Sequence, residues 1–264
     1  WYTLNMDQQS VETIEYCIQL NSYLHNMTTV ADKIDSSELG KATFSDSKTK
    51  FTGVYYPHLE TEPIHNDVDL SKNIIITGPN AAGKTTILKS TMFAIITSQQ
   101  LGIGYYDRCI LEPYSVLHSY INIPDTSGRD SLFQAEASRC KSILREISEN
   151  KSRHFCIFDE LFSGTNPYEA ISAANAYLSY INKNKNVRYV LTTHFLDLCK
   201  KLDKKKGVRN MHMHVAQKGG DFVYNYKLQK GISTVKGGIK VLRDLAYPDE
   251  IVLNSIKTIN KLKI

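Results

Sequence analysis

The run Gly78-Pro79-Asn80-Ala81-Ala82-Gly83-Lys84-Thr85 limits what this chain can fold into more than any other stretch. It fits G-x-x-x-x-G-K-S/T without a mismatch, and its surroundings fit too. The β-branched run Asn73-Ile74-Ile75-Ile76-Thr77 precedes it and a helical pattern starts at about Lys84, which predicts a buried strand, a loop and a helix in succession. Gly83 lets the backbone curl around an anion, so that amide N–H groups and the helix N-terminus face phosphate oxygens. Lys84 can reach β- and γ-phosphates, and the Thr85 hydroxyl can enter the shell of a Mg²⁺ ion. Gly78, Pro79, Asn80, Ala81, Ala82, Gly83, Lys84, Thr85 and Thr86 are therefore the candidate nucleotide-binding residues.

The same alternation recurs downstream. Phe155-Cys156-Ile157-Phe158 reads as a second buried strand and residues 187–191 as a third. Between them Pro167 sits where a helix would begin, and Ala170, Ala173, Ala174, Tyr177, Leu178 and Ile181 follow at helical spacing. Continuous apolar strands alternating with helices predict an α/β fold: a mostly parallel sheet covered by helices on both faces. Met211, Met213 and Val215 alternate with His212 and His214, Gly219-Gly220 intervenes, and Phe222, Tyr224, Tyr226 and Leu228 alternate again, which adds an antiparallel hairpin at one side. Residues 10–27, with Val11, Ile14, Cys17, Ile18 and Leu24, predict a helix with one apolar face. Residues 32–67 read as loops and short strands, and a helical pattern with Ile251, Val252, Ile256 and Ile259 follows Pro248.

Two strand ends carry chemistry. Asp159-Glu160 closes the second strand; in phosphate-loop proteins the first acid at such a place holds Mg²⁺, and the second is placed to take a proton from an attacking water. The third strand ends at Thr192-Thr193-His194. A parallel sheet presents its C-terminal strand ends to the ligand, so His194 falls on the phosphate side.

Composition narrows the class further. With 264 residues, 42% hydrophobic and 22% charged, the chain suits a globular domain with an appendage and excludes a disordered or fibrous protein. No apolar run approaches the ~20 residues that a membrane span needs, so no membrane partner is expected. Cys17, Cys109, Cys140, Cys156 and Cys199 are scattered without a Cys-x-x-Cys pair, which suggests a reducing compartment. The net charge of +5 is too mild to demand a nucleic-acid partner. No basic-then-apolar leader follows Trp1, so the segment is expected to begin inside a longer, non-secreted chain.

Taken together, Gly78-Pro79-Asn80 opening the phosphate loop, Asp159-Glu160 followed by Gly164-Thr165, and Thr193-His194 resemble the ATPase domain of MutS, the DNA mismatch repair family. The resemblance covers residues 66–261 and implies an ABC-class phosphate-loop ATPase over 66–264, with residues 1–65 as a lead-in segment of helix and short strands. Asn122-Ile123-Pro124-Asp125, Ser131-Leu132-Phe133-Gln134-Ala135-Glu136 and Phe162-Ser163-Gly164-Thr165-Asn166-Pro167 look closest to the divergent MutS-like proteins of large DNA viruses, which implies an intracellular, virus-encoded protein of cytoplasm or nucleus. By that resemblance Lys84 is the phosphate lysine, Thr85 and Asp159 are Mg²⁺ ligands, Glu160 is the general base and His194 the switch histidine. Ser131 matches the serine that reaches, in trans, the γ-phosphate of ATP bound to a second MutS-like subunit, and Gly164-Thr165-Asn166 matches a loop lying across the dimer interface. Three positions depart from the family: Arg129 stands where a glycine is usual, with Gly128 displaced by one; Ala81-Ala82 replaces a bulkier residue and a glycine; and Pro63 stands where an aromatic often precedes Asn66.

The implied function is ATP hydrolysis in a homodimer or a dimer with a paralogue, coupled to mismatched-DNA binding by upstream domains. An SMC-like or transporter-type ABC protein is disfavoured because no coiled coil and no L-S-G-G-Q segment lies between Lys84 and Asp159. A non-hydrolysing, nucleotide-gated dimerisation module is disfavoured because both acids are present. Lys200-Lys201-Leu202-Asp203-Lys204-Lys205-Lys206 reads as a solvated charge run rather than a DNA grip, His212 and His214 as a strand-face pair rather than metal ligands, and Tyr224 and Tyr226 as period-2 packing rather than a stacking platform.

Overall fold

The strand that enters the phosphate loop is buried along its whole length, and the main sheet is built around it. The computed structural model describes residues 8–58, 62–121, 123, 131–218, 221–233, 235 and 237–261. Helix α1 (Gln8–Asp35) leads into β1 (Gly40–Phe44), β2 (Lys50–Val54) and β3 (Asn66–Asp69), after which β4 (Asn73–Thr77) runs through the loop into α2 (Lys84–Leu101). Short strands β5 (Ile103–Gly104) and β6 (Arg108–Leu111) come before β7 (Val116–Tyr120), α3 (Leu132–Glu149) and β8 (His154–Asp159). Then follow α4 (Pro167–Ile181), β9 (Val187–Thr192), α5 (Leu196–Asp203), the hairpin β10 (Val208–Lys218) and β11 (Asp221–Lys230), and helices α6 (Gly238–Asp244) and α7 (Asp249–Lys261).

The main sheet has six strands in the order β11-β10-β4-β9-β8-β7. All neighbours are parallel except β10 and β11, so the parallel sheet with an antiparallel hairpin at one side is what forms. The continuous apolar strands are explained by the layers. Ile75, Cys156, Phe158, Tyr189 and Leu191 face α3, α4 and α5, while Ile74, Ile76, Phe155, Ile157 and Val190 face α2 and the smaller sheet. Both faces of each central strand are dry, which removes the polar alternation of a half-exposed strand. Truncating one of these isoleucines to alanine should cost about 2–5 kcal/mol.

The smaller sheet, β3-β2-β6-β1-β5, takes β1 and β2 from the chain before residue 66 and the other three strands from residue 66 onward. Helix α1 departs from expectation. It runs on to Asp35, none of its residues is buried, and Val11, Ile14, Ile18 and Leu24 are all exposed. The reason lies in the pattern: at 100° per residue Tyr16, Leu20, Tyr23 and Met27 fall on the side opposite Val11, Ile14 and Ile18, so no single apolar face exists. Gly128, Arg129, Gly219-Gly220, and Asn122, Pro124 and Asp125 of the stretch quoted above lie outside the described residues.

Candidate active site

Three adjacent strands, β4, β9 and β8, end side by side, and their C-terminal ends carry the predicted site. At the end of β4 the loop turns sharply into α2. Gly83, at φ +90°, is the N-cap of α2 and brings no side-chain hydrogen bond, which leaves the first helical N–H groups directed at the loop interior. A Cβ at Gly83 would stand 3.2 Å from Tyr226 Cδ1, so the glycine fits both the left-handed backbone and the space.

Lys84 is buried, and its Nζ donates to the carbonyl of Gly78 at 3.0 Å, that of Pro79 at 3.2 Å and Asn80 Oδ1 at 3.4 Å. Its ammonium lies 3.7 Å from Glu160 Oε1. Burial pushes the Lys84 ammonium down from its ordinary value, against the pull of Glu160 and Asp159. Thr85, next on α2, turns its hydroxyl to the end of β8 and donates to Asp159 Oδ2 at 2.9 Å. The Thr192 hydroxyl also donates to Asp159, from the end of β9.

Glu160 follows with φ +52°, and its N–H donates to the Thr192 carbonyl at 3.1 Å. That turn carries the carboxylate out of the sheet toward the loop and toward His194, whose Nδ1 lies 3.8 Å from Glu160 Oε1. The His194 imidazole holds the Glu160 carboxyl below the usual glutamate range; Lys84 adds to the effect and partial burial opposes it. A cavity of about 990 Å³ opens beside these groups, lined by Gly78, Pro79, Asn80, Glu160, His194 and Phe195 among others.

Lys84, Thr85, Asp159, Glu160 and His194 are thus brought together. Pro79 and Ala82 are buried, Asn80 and Ala81 are exposed, and Thr86 is half-buried and directs its carbonyl to the Ser90 hydroxyl at 2.8 Å. Ala81 takes a left-handed φ of +62°, the conformation a glycine would hold without strain. Ser131 is exposed and caps α3, accepting from the Gln134 N–H at 3.3 Å. Asn166 caps α4 by accepting from the Glu169 N–H at 3.0 Å.

The residues fit a nucleotide with Mg²⁺. A left-handed glycine, an uncapped helix start and one buried ammonium form a cradle for phosphate oxygens. Thr85 and Asp159 supply two hard oxygen ligands in contact with each other, which suits an ion that keeps most of its shell from water and phosphate. Among the described residues no group of three or more His, Cys, Asp or Glu could form an all-protein metal cage.

One contact near the loop escapes sequence reasoning. Between the pairs Met213–Leu228 and Val215–Tyr224 the hairpin register shifts by a bulge. Tyr226 lies within that bulge at φ +52° and 43% exposed; its ring stacks on that of Tyr224, centroids 6.2 Å apart, as period-2 packing expects, and its edge borders Gly83. Asn66 pins it: its Nδ2 donates to the carbonyls of Ile64 at 3.2 Å and Tyr226 at 3.0 Å, and its Oδ1 accepts from the Leu228 N–H at 2.7 Å.

A phosphate loop between a buried parallel strand and a helix, faced by an acid at a neighbouring strand end, defines a phosphate-loop protein of the α/β class. Residues 74–263 match the MutS domain V family, and the chain belongs to it. The chain is 25% identical over 248 residues to the DNA mismatch repair protein MutS of Leuconostoc mesenteroides, covering 90% of this chain and 29% of that protein. It is 29% identical over 202 residues to the protein of the same name from Pelotomaculum thermopropionicum, covering 75% and 23%. To the DNA mismatch repair protein spellchecker 1 of Drosophila melanogaster it is 28% identical over 222 residues, covering 80% and 24%. The chain therefore spans less than a third of the length of these relatives. Among the described residues no helix is long and apolar enough to cross a membrane.

Proposed function

We propose that residues 66–264, led into by residues 1–65, form an ATP-binding and ATP-hydrolysing domain of the ABC class within a MutS-like mismatch repair protein. The reading rests above all on the meeting of Lys84, Thr85, Asp159, Glu160 and His194 at the ends of β4, β8 and β9. Lys84 and the N–H groups at the start of α2 hold the phosphates, and the exposed ring of Tyr226 offers the base a face beside Gly83. Thr85 and Asp159 would hold Mg²⁺, which would supply positive charge against the phosphate oxygens. Glu160, whose carboxyl His194 holds below the usual glutamate range, would accept a proton from the water that attacks the γ-phosphorus as the bond from that phosphorus to the bridging oxygen breaks and ADP leaves, and His194, beside Glu160, would sense the γ-phosphate.

Ser131, exposed at the head of α3, is free to meet ATP on a second MutS-like subunit, a copy or a paralogue, in a composite site. DNA would be held mainly by domains upstream of the sequence described, with ATP turnover coupled to mismatch binding there. A resemblance to MutS-like proteins of large DNA viruses rests on the sequence stretches 122–125, 131–136 and 162–167. A fluorescent ATP analogue tests the site: it should bind with Mg²⁺, and Lys84→Ala should weaken it by at least about tenfold, the loss of one charge-assisted contact. Equal binding by both proteins would refute the phosphate-loop reading.

A further inference from the structure

The turn after Glu160 is held in a shape that its residues do not favour. Glu160 (φ +52°) and Phe162 (φ +59°) both occupy the left-handed region, which penalises any residue with a side chain. Such a backbone persists only where its surroundings over-determine it. Helix α3 does this from one side. Glu136, 2% exposed, accepts three hydrogen bonds from the turn: on Oε1 from the Ser163 N–H at 3.1 Å and the Ser163 hydroxyl at 3.2 Å, and on Oε2 from the Gly164 N–H at 3.1 Å. The Phe133 ring lies 5.7 Å from that of Phe162. Gly164 is pressed so closely on α3 that a Cβ there would stand 2.7 Å from Leu132 Cγ and 2.9 Å from the Phe133 nitrogen. From the sheet, the Tyr120 hydroxyl accepts from the Phe162 N–H at 3.3 Å.

A carboxylate withdrawn from water this far is costly unless both oxygens are used, and here both are used on one short segment. We infer that Glu136 is a positioning residue for Glu160: its carboxylate clamps residues 160–164 to the first turns of α3 and thereby sets the direction in which the Glu160 carboxylate leaves β8. Because Ser131 caps the same helix, the clamp also makes the exposed serine and the base of one chain move as a unit. The inference rests on the reading of Glu160 as the base.

Glu136→Gln tests it, since the glutamine keeps the size and one acceptor but sets an amide N–H against a backbone N–H. Nucleotide affinity and nucleotide bound per chain should stay within about twofold of wild type, while turnover per bound nucleotide falls about 10- to 100-fold, as for a misaligned reacting group. Exchange of the Ser163 and Gly164 amide protons should accelerate. A merely structural role would lower bound nucleotide and rate together, leaving turnover per bound nucleotide unchanged, and that result overturns the inference. If Glu136→Gln does not fold, Ser163→Ala decides: it removes one of the three bonds and should slow turnover per bound nucleotide about three- to tenfold, and wild-type turnover overturns the inference. Glu160→Gln is measured alongside. Normal turnover in Glu160→Gln refutes the base itself, whereas loss there with full turnover in Glu136→Gln refutes only the clamp.

Discussion

The hydroxyl of Thr85 and the carboxylate of Asp159 meet at 2.9 Å although they come from different elements, the first turn of α2 and the last residue of β8. That contact brings the two proposed Mg²⁺ ligands together. Replacing Asp159 with asparagine should raise the Mg²⁺ concentration needed for half-maximal turnover by at least about tenfold, since a charged oxygen donor becomes neutral. Chelation of Mg²⁺ should stop turnover in the wild type. A magnesium titration of both proteins checks this, and overlapping curves would contradict it.

The exposed ring of Tyr226 predicts a role in holding the base. Tyr226→Ala should weaken ATP by about 1–3 kcal/mol, the range measured for base stacking on an aromatic ring. Tyr226→Phe should keep the affinity, and inorganic triphosphate should bind wild type and Tyr226→Ala alike. Calorimetric titration with the two ligands separates stacking from phosphate binding; an equal loss for triphosphate would place the defect in the loop.

Much of this arrangement was legible from the residues alone, for a physical reason. β4, β8 and β9 are buried on both faces, so they appear as unbroken apolar runs, and each ends in a polar group that can only face the ligand side: the phosphate loop, Asp159-Glu160 and His194. The packing of Tyr226 on Tyr224 was legible, but its approach to Gly83 was not, because a bulge leaves no mark in the alternation. Glu136 stood out only as part of the Ser131–Glu136 stretch, and its partners were hidden because they lie on a turn 27 and 28 residues further along the chain. Helix α1 misled by spacing, since Val11, Ile14 and Ile18 match a helical stripe while the other side is equally apolar.

The pairing of Glu160 with His194 sets the sign of a pH effect. A carboxyl held below its ordinary value of 4.5 contributes stability above that pH, and the contribution is lost as pH falls through the lowered value. His194→Asn removes the largest cause of the lowering, so the Glu160 midpoint should rise toward or past 4.5. An NMR titration of the Glu160 side-chain carboxyl in both proteins reads the shift directly, and an unchanged midpoint would remove His194 from the pair.

Thiol reactivity should divide the cysteines sharply. Cys17 is exposed on α1, whereas Cys109, Cys140, Cys156 and Cys199 are buried. Burial pushes the Cys109 thiol up to about 11 and those of Cys140 and Cys199 up to about 12, and raises that of Cys156 as well. Since the thiolate is the reactive form, iodoacetamide at mildly alkaline pH should label only Cys17 in the native protein, and the other four only after denaturation. Peptide mass mapping checks this; rapid native labelling of Cys156 would contradict the packing of β8.

The most direct measurement is ATP binding and phosphate release by Glu160→Gln side by side with wild type. With the amide in place of the base, ATP and Mg²⁺ should bind with wild-type affinity while steady-state phosphate release falls at least about 100-fold, the scale of general-base catalysis. Phosphate release at the wild-type rate would contradict the assignment of Glu160 and, with it, the proposed hydrolytic site.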